Sequence, residues 1–209
     1  MILNIVKNAA ADIWDEMLYL MIFNLIWVVS FLLIIPWPLA TFGLVFTIYD
    51  IGEAKGIGMG TFWKHMQQTW RQAYLWGGIN LGVGVIFWIN WAFYARLEAE
   101  WAGFAQMVVL AISLFWAILQ LLALPFYPRL ERPGFKLALR NAGVVLGRYP
   151  LTGVFLLILV LLIAGVASFF PVVYFLGAFS IVAVIANQVV AAILAKERQR
   201  EEERVAKKK

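Results

Sequence analysis

Cysteine is absent from this chain of 209 residues, and histidine occurs once, as His65. The absence of cysteine excludes disulfides, thiol nucleophiles and thiolate metal sites. One histidine cannot supply a multi-histidine metal cluster. Charged residues are also scarce, at 14% of the chain, against about 25% in soluble domains. We therefore expect neither a metal site nor a cofactor.

Apolar residues, by contrast, are in excess. They make up 64% of the chain, against about 45–50% in soluble domains, and a soluble domain of this length lacks the interior to bury them. They form unbroken runs of about 20 residues, the length of a bilayer-spanning helix. The sequence predicts an all-α polytopic membrane protein with one embedded domain, 1–195, and a charged cytoplasmic tail, 196–209. Five transmembrane helices are predicted, at about 17–35, 75–94, 101–124, 151–169 and 172–194.

The segment after the first span does not fit the spanning pattern. Pro36-Trp37-Pro38 ends the span, because proline removes a backbone donor and disfavours helix in the residue before it. A moderately apolar stretch, 39–54, comes next and closes on a glycine-rich run at 55–60. We predict a short helix at the membrane interface here. The sequence leaves open whether it lies in the interface or is re-entrant.

Two further segments, 61–74 and 135–149, have the pattern of amphipathic helices. Each carries apolar residues on one helical face and basic or amide residues off it, as interfacial helices do. With 39–54, they give two or three interfacial helices beside the five spans. The apolar stripes are Phe62, Trp63, Met66, Trp70, Ala73 and Tyr74 in the first, and Phe135, Ala138, Leu139, Ala142, Val145, Leu146 and Tyr149 in the second.

Basic residues are distributed unevenly about the predicted spans. Five alternating spans place 39–73, 125–150 and the tail on one side, and these segments hold 15 of the 17 Lys and Arg residues. Lys7 and Arg96 remain for the other side. The positive-inside rule then predicts that the N-terminus lies outside and the C-terminus in the cytoplasm. Because topology accounts for the net charge of +5, we expect the lipid bilayer, and no nucleic acid, as a partner.

None of the predicted spans contains Asp, Glu, Lys, Arg or His. Ion-coupled transporters and pumps usually carry such groups at membrane depth, so this class is disfavoured. The loops hold no nucleophile–base set, no HExxH and no phosphate-binding glycine loop, so we expect no catalytic residues and no enzyme. Uncharged polar residues do occur in the spans, where they either join helices by hydrogen bonds or line a polar path. They are Asn24, Ser30, Asn80, Asn90, Ser113, Gln120, Ser168, Ser180, Asn187 and Gln188.

Gly78 and Gly82 form a small-xxx-small pair in the second predicted span. Such a pair lets two helices approach closely. The partner helix is either internal or from a second copy of the chain, so a homo-oligomer stays open.

Ten tryptophans raise the possibility of sugar stacking, above all at Trp91 and Trp101 in the turn after the second span. The alternative is an aromatic belt, in which indole rings settle at headgroup level near the span ends. We favour the belt, because six tryptophans lie near predicted span ends. His65 is expected to be solvated on the polar face of the first amphipathic helix. The six tryptophans are Trp14, Trp37, Trp63, Trp70, Trp91 and Trp101.

Four short stretches share a pattern with one known family: Phe23-Asn24-Leu25-Ile26-Trp27, Pro36 with Pro38-Leu39-Ala40-Thr41, the aromatic stretch from Phe62-Trp63 to Ala73, and Leu137 to Ala142 running into Tyr149-Pro150-Leu151. They resemble the YesL-like bacterial membrane proteins, a family of unknown function, and the resemblance implies a location in the bacterial inner membrane. Ile34-Ile35 before Pro36 departs from the family's glycine-containing turn. The resemblance implies an accessory role in carbohydrate uptake and carries over no catalytic residue. The candidate helix-packing or partner contacts are Asn24, Trp27, Pro36, Pro38, Gly78, Gly82 and Asn141.

Three functions remain as expectations. The first is a non-catalytic accessory partner of a carbohydrate transporter, which should present an apolar or aromatic groove. The second is a small facilitator or channel for an uncharged solute, which should show a continuous file of Asn, Gln and Ser side chains. The third is a structural subunit of a larger membrane complex.

Overall fold

The protein is a bundle of helices. The computed structural model describes residues 2–207, is 87% helical and contains no strand within that range. This confirms the all-α prediction. The helices are α1 Ile2–Asp15, α2 Met17–Leu33, α3 Trp37–Gly52, α4 Met59–Gln68, α5 Trp70–Ala95, α6 Ala102–Ala123, α7 Phe135–Arg148, α8 Pro150–Phe169, α9 Val172–Leu176 and α10 Ala178–Ala206, with a 3-10 helix, Leu124–Arg129, after α6.

Several of these helices are long and apolar enough to cross a membrane. Four qualify alone: α5, α6 with its 3-10 extension, α8 and α10. The pair α1 and α2 gives a fifth if it is counted as one span, although its two helices are bent by 87°. The chain is therefore a multi-pass membrane protein, as predicted.

Successive helices pack as antiparallel hairpins. In α5 and α6, Trp76 contacts Gln120 at one end, and Trp91 contacts Gln106 further along. In α2 and α3, the Phe31 ring lies 5.8 Å from the Trp37 ring, and Trp27 donates a hydrogen bond to Thr41. The contact residue numbers rise on one helix as they fall on the other, so each pair reverses direction at its connecting turn.

The helix α3 covers most of the segment 39–54, for which the sequence left an interfacial and a re-entrant helix open. It packs against α2, α4, α5, α10 and the 3-10 helix, and Phe42, Leu44 and Ile48 are almost fully buried. A helix covered on so many faces by protein is a central element of the bundle and does not lie on its surface. Its 16 residues extend about 24 Å, shorter than a typical membrane span.

The direction of α2 relative to α10 bears on the predicted placement of the N-terminus. Ser180 donates to the Leu20 carbonyl, and Gln188 donates to Asp12. The earlier residue, Asp12, thus contacts the later position in α10, and the later residue, Leu20, contacts the earlier one. By this pairing α2 and α10 are antiparallel. A chain with its ends on opposite sides of five spans needs these two helices to be parallel. In the structure, α1 packs beside α10, with Asp12 bonded to Gln188.

Within residues 2–207 three helices are amphipathic, α1, α4 and α7, where the sequence predicted two or three interfacial helices. In α7, all seven stripe residues are buried or half-buried, as predicted. The first predicted amphipathic helix breaks at Thr69 into α4 and α5, and its stripe divides. Phe62, Met66 and Ala73 turn inward, whereas its Trp and Tyr members stay exposed. The third amphipathic helix is α1, which buries Ile5 and Ala9.

The last predicted span, 172–194, is not one helix. It breaks at Gly177 into the short α9 and the long α10. The charged segment 196–206 continues α10 as helix, as expected for a solvated extension with acidic and basic residues one turn apart.

Candidate functional site

An open cleft of about 490 Å³ lies where α2, α3, α5, α6, α8, α9 and α10 meet. Four of the ten tryptophans line it, together with two amide side chains. We call it the tryptophan cleft. The residues used below are Trp27, Trp37, Trp76, Asn80, Trp116 and Gln120.

One wall of the tryptophan cleft is a hydrogen-bonded cluster between α5 and α6. Trp76 Nε1 donates to Gln120 Oε1 at 2.9 Å, and Trp116 Nε1 donates to Asn80 Oδ1 at 3.0 Å. Asn80 Nδ2 donates to the Trp76 carbonyl at 2.8 Å and lies 3.4 Å from Gln120 Oε1. The cluster fixes two indoles and two amides across the hairpin.

The geometry of this cluster leaves an amide nitrogen without a partner. An indole N–H can only donate, so the oxygen of Gln120 must face Trp76. The Gln120 nitrogen, Nε2, is then buried and finds no acceptor among the described residues. Trp37 Nε1 is a second buried donor in the same condition. Such groups are costly, at about 1–3 kcal/mol each, and are rare in native proteins.

The opposite wall is aromatic. The Trp27 ring stacks on Phe179 with centroids 3.9 Å apart, and its Nε1 donates to Thr41 Oγ1 at 2.8 Å. Trp37 packs against Trp76, with centroids 5.3 Å apart. These contacts join α2 and α3 to α5 and α10, so the walls belong to elements far apart in sequence.

The tryptophan cleft has no charged side chain in its described lining. A charged ligand would therefore lose hydration in the cleft without gaining an opposite charge, which is unfavourable. The cleft suits an uncharged molecule.

Asn24, a predicted contact residue, closes the helix break at Gly177. Its Nδ2 donates to the carbonyls of Tyr174 and Phe175, at 2.7 and 3.0 Å. Its Oδ1 accepts from the backbone N–H of Phe179 and Ser180, at 3.1 and 3.2 Å. The side chain thus satisfies backbone carbonyls at the end of α9 and backbone N–H groups at the start of α10. Its hydrogen bonds are made within this chain.

The other predicted contacts divide between inside and outside. Trp27 lines the tryptophan cleft, and Pro36 stands in the α2–α3 turn. Pro38 is buried against Gly77, where any added Cβ would overlap the proline ring. Gly78 and Gly82 have nothing within 4 Å of an added Cβ, so they contact no other helix in the described part of this chain. The remaining predicted contact, Asn141, lines a second pocket at the end of the bundle.

His65 is not solvated, which corrects the prediction. Its side chain is 16% exposed, and its Nε2 lies 2.7 Å from Asp50 Oδ2. Asp50 also pairs with the exposed Lys55 at 3.4 Å. The contact joins α3 to α4.

Polar residues of the spans do not form a file. Asn90, Ser113 and Ser168 each donate to a carbonyl one turn earlier in their own helix. Others lie apart from one another: Asn24 bonds the helix break at Gly177, and Gln120 lies in the tryptophan cleft. This arrangement favours local helix bonding over a polar path.

Sequence reasoning missed the tryptophan cleft. It placed Trp37 in the aromatic belt from its position near a span end, yet its Nε1 is buried. It predicted no role for Trp76 or Trp116. The sequence signal that could have indicated the cleft is Gln120, an amide side chain within an apolar part of the third predicted span.

No protein-family model, no curated protein and no solved structure matches this chain. The resemblance to the YesL-like family therefore stays a prediction, and the function of the chain has to be inferred from its geometry.

Proposed function

We propose that the protein is a non-catalytic membrane protein that binds an uncharged, largely apolar molecule with an oxygen acceptor in the tryptophan cleft. The observation that carries this proposal is the buried, unpartnered Nε2 of Gln120 within an aromatic lining free of charge. An ester, ketone or ether oxygen that enters between the lining side chains supplies the missing acceptor.

The size and polarity of the tryptophan cleft support this class of ligand. Its volume, about 490 Å³, lies in the range of small-molecule sites, about 300–1,000 Å³. A free sugar fits poorly, because most of its hydroxyls would lose water without gaining partners. A lipid-soluble molecule with one or two oxygens matches the two unpartnered donors.

The other expectations have different support. A facilitator is disfavoured by polar side chains that bond within their own helices. The accessory role in carbohydrate uptake rests on the resemblance alone, although an aromatic groove is what that role was expected to present. A partner helix or a second copy would meet the open surface at Gly78 and Gly82.

We further propose that both ends of the chain lie in the cytoplasm of a bacterial cell, at its inner membrane. The charged end of α10 is the natural cytoplasmic end, and α1 lies beside α10 on that side. With α3 as a short returning helix, the chain has six crossings, and 16 of its 17 basic residues fall on the cytoplasmic side. Only Arg96 remains outside, so the charge bias is stronger than with five spans.

Heavy-atom quenching of tryptophan fluorescence tests the proposed ligand class. The purified full chain in detergent is titrated with three brominated probes of equal length: a long-chain methyl ester, an alkane and a carboxylate. The ester should quench a saturable part of the emission at about tenfold lower concentration than the alkane, the gain expected from one hydrogen bond to a buried donor.

Two leucine variants of α6 make this test specific. Gln120→Leu should remove the advantage of the ester over the alkane, whereas Gln106→Leu, at the other glutamine of the same helix, should keep it. Equal quenching by alkane and ester in the wild type would refute the proposed ligand class. So would an undiminished ester advantage in Gln120→Leu.

A further inference from the structure

A second pocket lies where the 3-10 helix meets α3, α7 and α10, with a volume of about 390 Å³. We call it the arginine pocket. Its polar lining comprises Arg129, Arg198, Asn141, Tyr49 and Glu53. None of these residues lines the tryptophan cleft.

Arg129 is held in a fixed position by neutral groups. Its Nη1 donates to the Pro125 carbonyl at 2.6 Å and to Asn187 Oδ1 at 2.8 Å. Its guanidinium lies over the Tyr49 ring, with Cζ 4.9 Å from the centroid. Asn187 is itself buried, so the arginine is anchored to the interior of the bundle.

Arg129 is half-buried, and it forms no ion pair with any carboxylate in the described part of the chain. The Glu53 carboxylate acts on its charge through space, without contact. Its Nε and Nη2 donors make no hydrogen bond to a described residue. An arginine remains charged in proteins and presents a planar fork that matches phosphate and carboxylate oxygens. A fixed guanidinium with free donors is the arrangement of an anion site.

The rest of the arginine pocket agrees with an anion site. Arg198 contributes a second guanidinium from α10, and Asn141 contributes an amide from α7. Glu53 is the single carboxylate of the described lining, so the pocket carries a net positive charge. Its remaining lining residues are apolar, which suits a group attached to a hydrophobic body. The pocket also lies at the end of the bundle that holds most basic residues.

We propose that the arginine pocket binds a phosphate ester group, with Arg129 as its principal ligand. The source is either the headgroup of an anionic phospholipid or a soluble phosphate ester. Basic pockets between membrane helices on the cytoplasmic side are suited to such headgroups. This proposal is independent of the ligand in the tryptophan cleft.

Two arms of one experiment distinguish the sources. In the first, the full chain is reconstituted in nanodiscs of phosphatidylcholine with an equal share of phosphatidylglycerol, and retained lipids are counted by native mass spectrometry. In the second, the chain in neutral detergent is melted with and without inorganic phosphate and glycerol phosphate. The variants are Arg129→Gln, Arg198→Gln and, as the matched control, Arg132→Gln, an exposed arginine three residues on and outside the pocket.

If the source is a lipid, the wild type and Arg132→Gln should preferentially retain phosphatidylglycerol. In Arg129→Gln this preference should fall about tenfold or more, the size of one charge-assisted hydrogen bond. A soluble source predicts the same loss in the melting arm only. If Arg129→Gln does not fold, Arg198→Gln carries the comparison with a smaller loss. No preference in either arm, or a preference equal in all variants, overturns the proposal.

Discussion

Asn24 shows how one side chain can hold a broken helix together inside a membrane protein. All its amide hydrogen-bonding groups are used on backbone atoms of α9 and α10. Backbone groups at membrane depth have no water to bond to, so a helix break there needs such a partner. The asparagine makes the reversal between α8 and α10 possible.

Replacing Asn24 by leucine should therefore destabilise the fold by about 3 kcal/mol or more, since each unsatisfied buried group costs about 1–3 kcal/mol. Asn90→Leu is the control, because Asn90 donates only to a carbonyl of its own helix. That change should stay within about 0.5 kcal/mol. Unfolding in mixed micelles measures both, and equal losses would contradict the assigned role.

His65 and Asp50 form the other residue-scale contact that the sequence did not indicate. Their pair is mostly shielded from solvent, so a double-mutant cycle with alanine should give a coupling energy of about 1 kcal/mol. The cycle of Asp50 with Lys55, which is 58% exposed, should give less than about 0.5 kcal/mol. Coupling that is equal in the two cycles would mean that burial adds nothing to the His65 contact.

At the scale of elements, patterns local in sequence were predictable and their packing was not. The stripe of α7 was visible because its residues recur at helical spacing, and that spacing alone selects one face. The central position of α3 was not visible, since an apolar run does not reveal which elements cover it. For α1, charged residues such as Lys7 and Asp12 concealed the inward pair Ile5 and Ala9.

The close approach of α3 and α5 gives an element-scale prediction. Gly77 lies against the Pro38 ring, whereas its neighbour Gly78 faces open space. Gly77→Ala should lower the unfolding free energy by about 1–3 kcal/mol through overpacking. Gly78→Ala should leave it unchanged or raise it by up to about 1 kcal/mol, from helix propensity.

Thermal melting of the two alanine variants side by side measures this difference. Because the glycines are adjacent on one helix, the effect of helix propensity is matched, and the packing against Pro38 is what differs. A Gly78→Ala loss as large as that of Gly77→Ala would indicate that α5 packs through its other face, most simply against a second chain.

At the scale of the molecule, the antiparallel course of α2 and α10 sets the topology. The positive-inside count was informative from sequence alone, since basic residues cluster in a few segments. The five-span count assigned α3 to the interface, whereas the proposed six crossings use α3 as a returning helix, and this one difference moves the proposed N-terminus to the cytoplasmic side. The tryptophan cleft was hidden for a related reason: its walls meet only after the hairpins pack.

Reporter fusions test the topology. A reporter at either end of the chain should be active in the cytoplasm, and one inserted in the turn at Arg96 should be active outside. An N-terminal reporter active only outside would restore the five-span arrangement and contradict the pairing of α1 with α10.

Binding in the tryptophan cleft is tested most directly by native mass spectrometry of the full chain released from the membrane of its expression host without delipidation. The wild type and Gln106→Leu should carry the same uncharged adduct, identifiable after organic extraction, and Gln120→Leu should lose most of it while remaining folded. Retention of that adduct by Gln120→Leu at the wild-type level, or its absence from all three proteins, would contradict the proposed function.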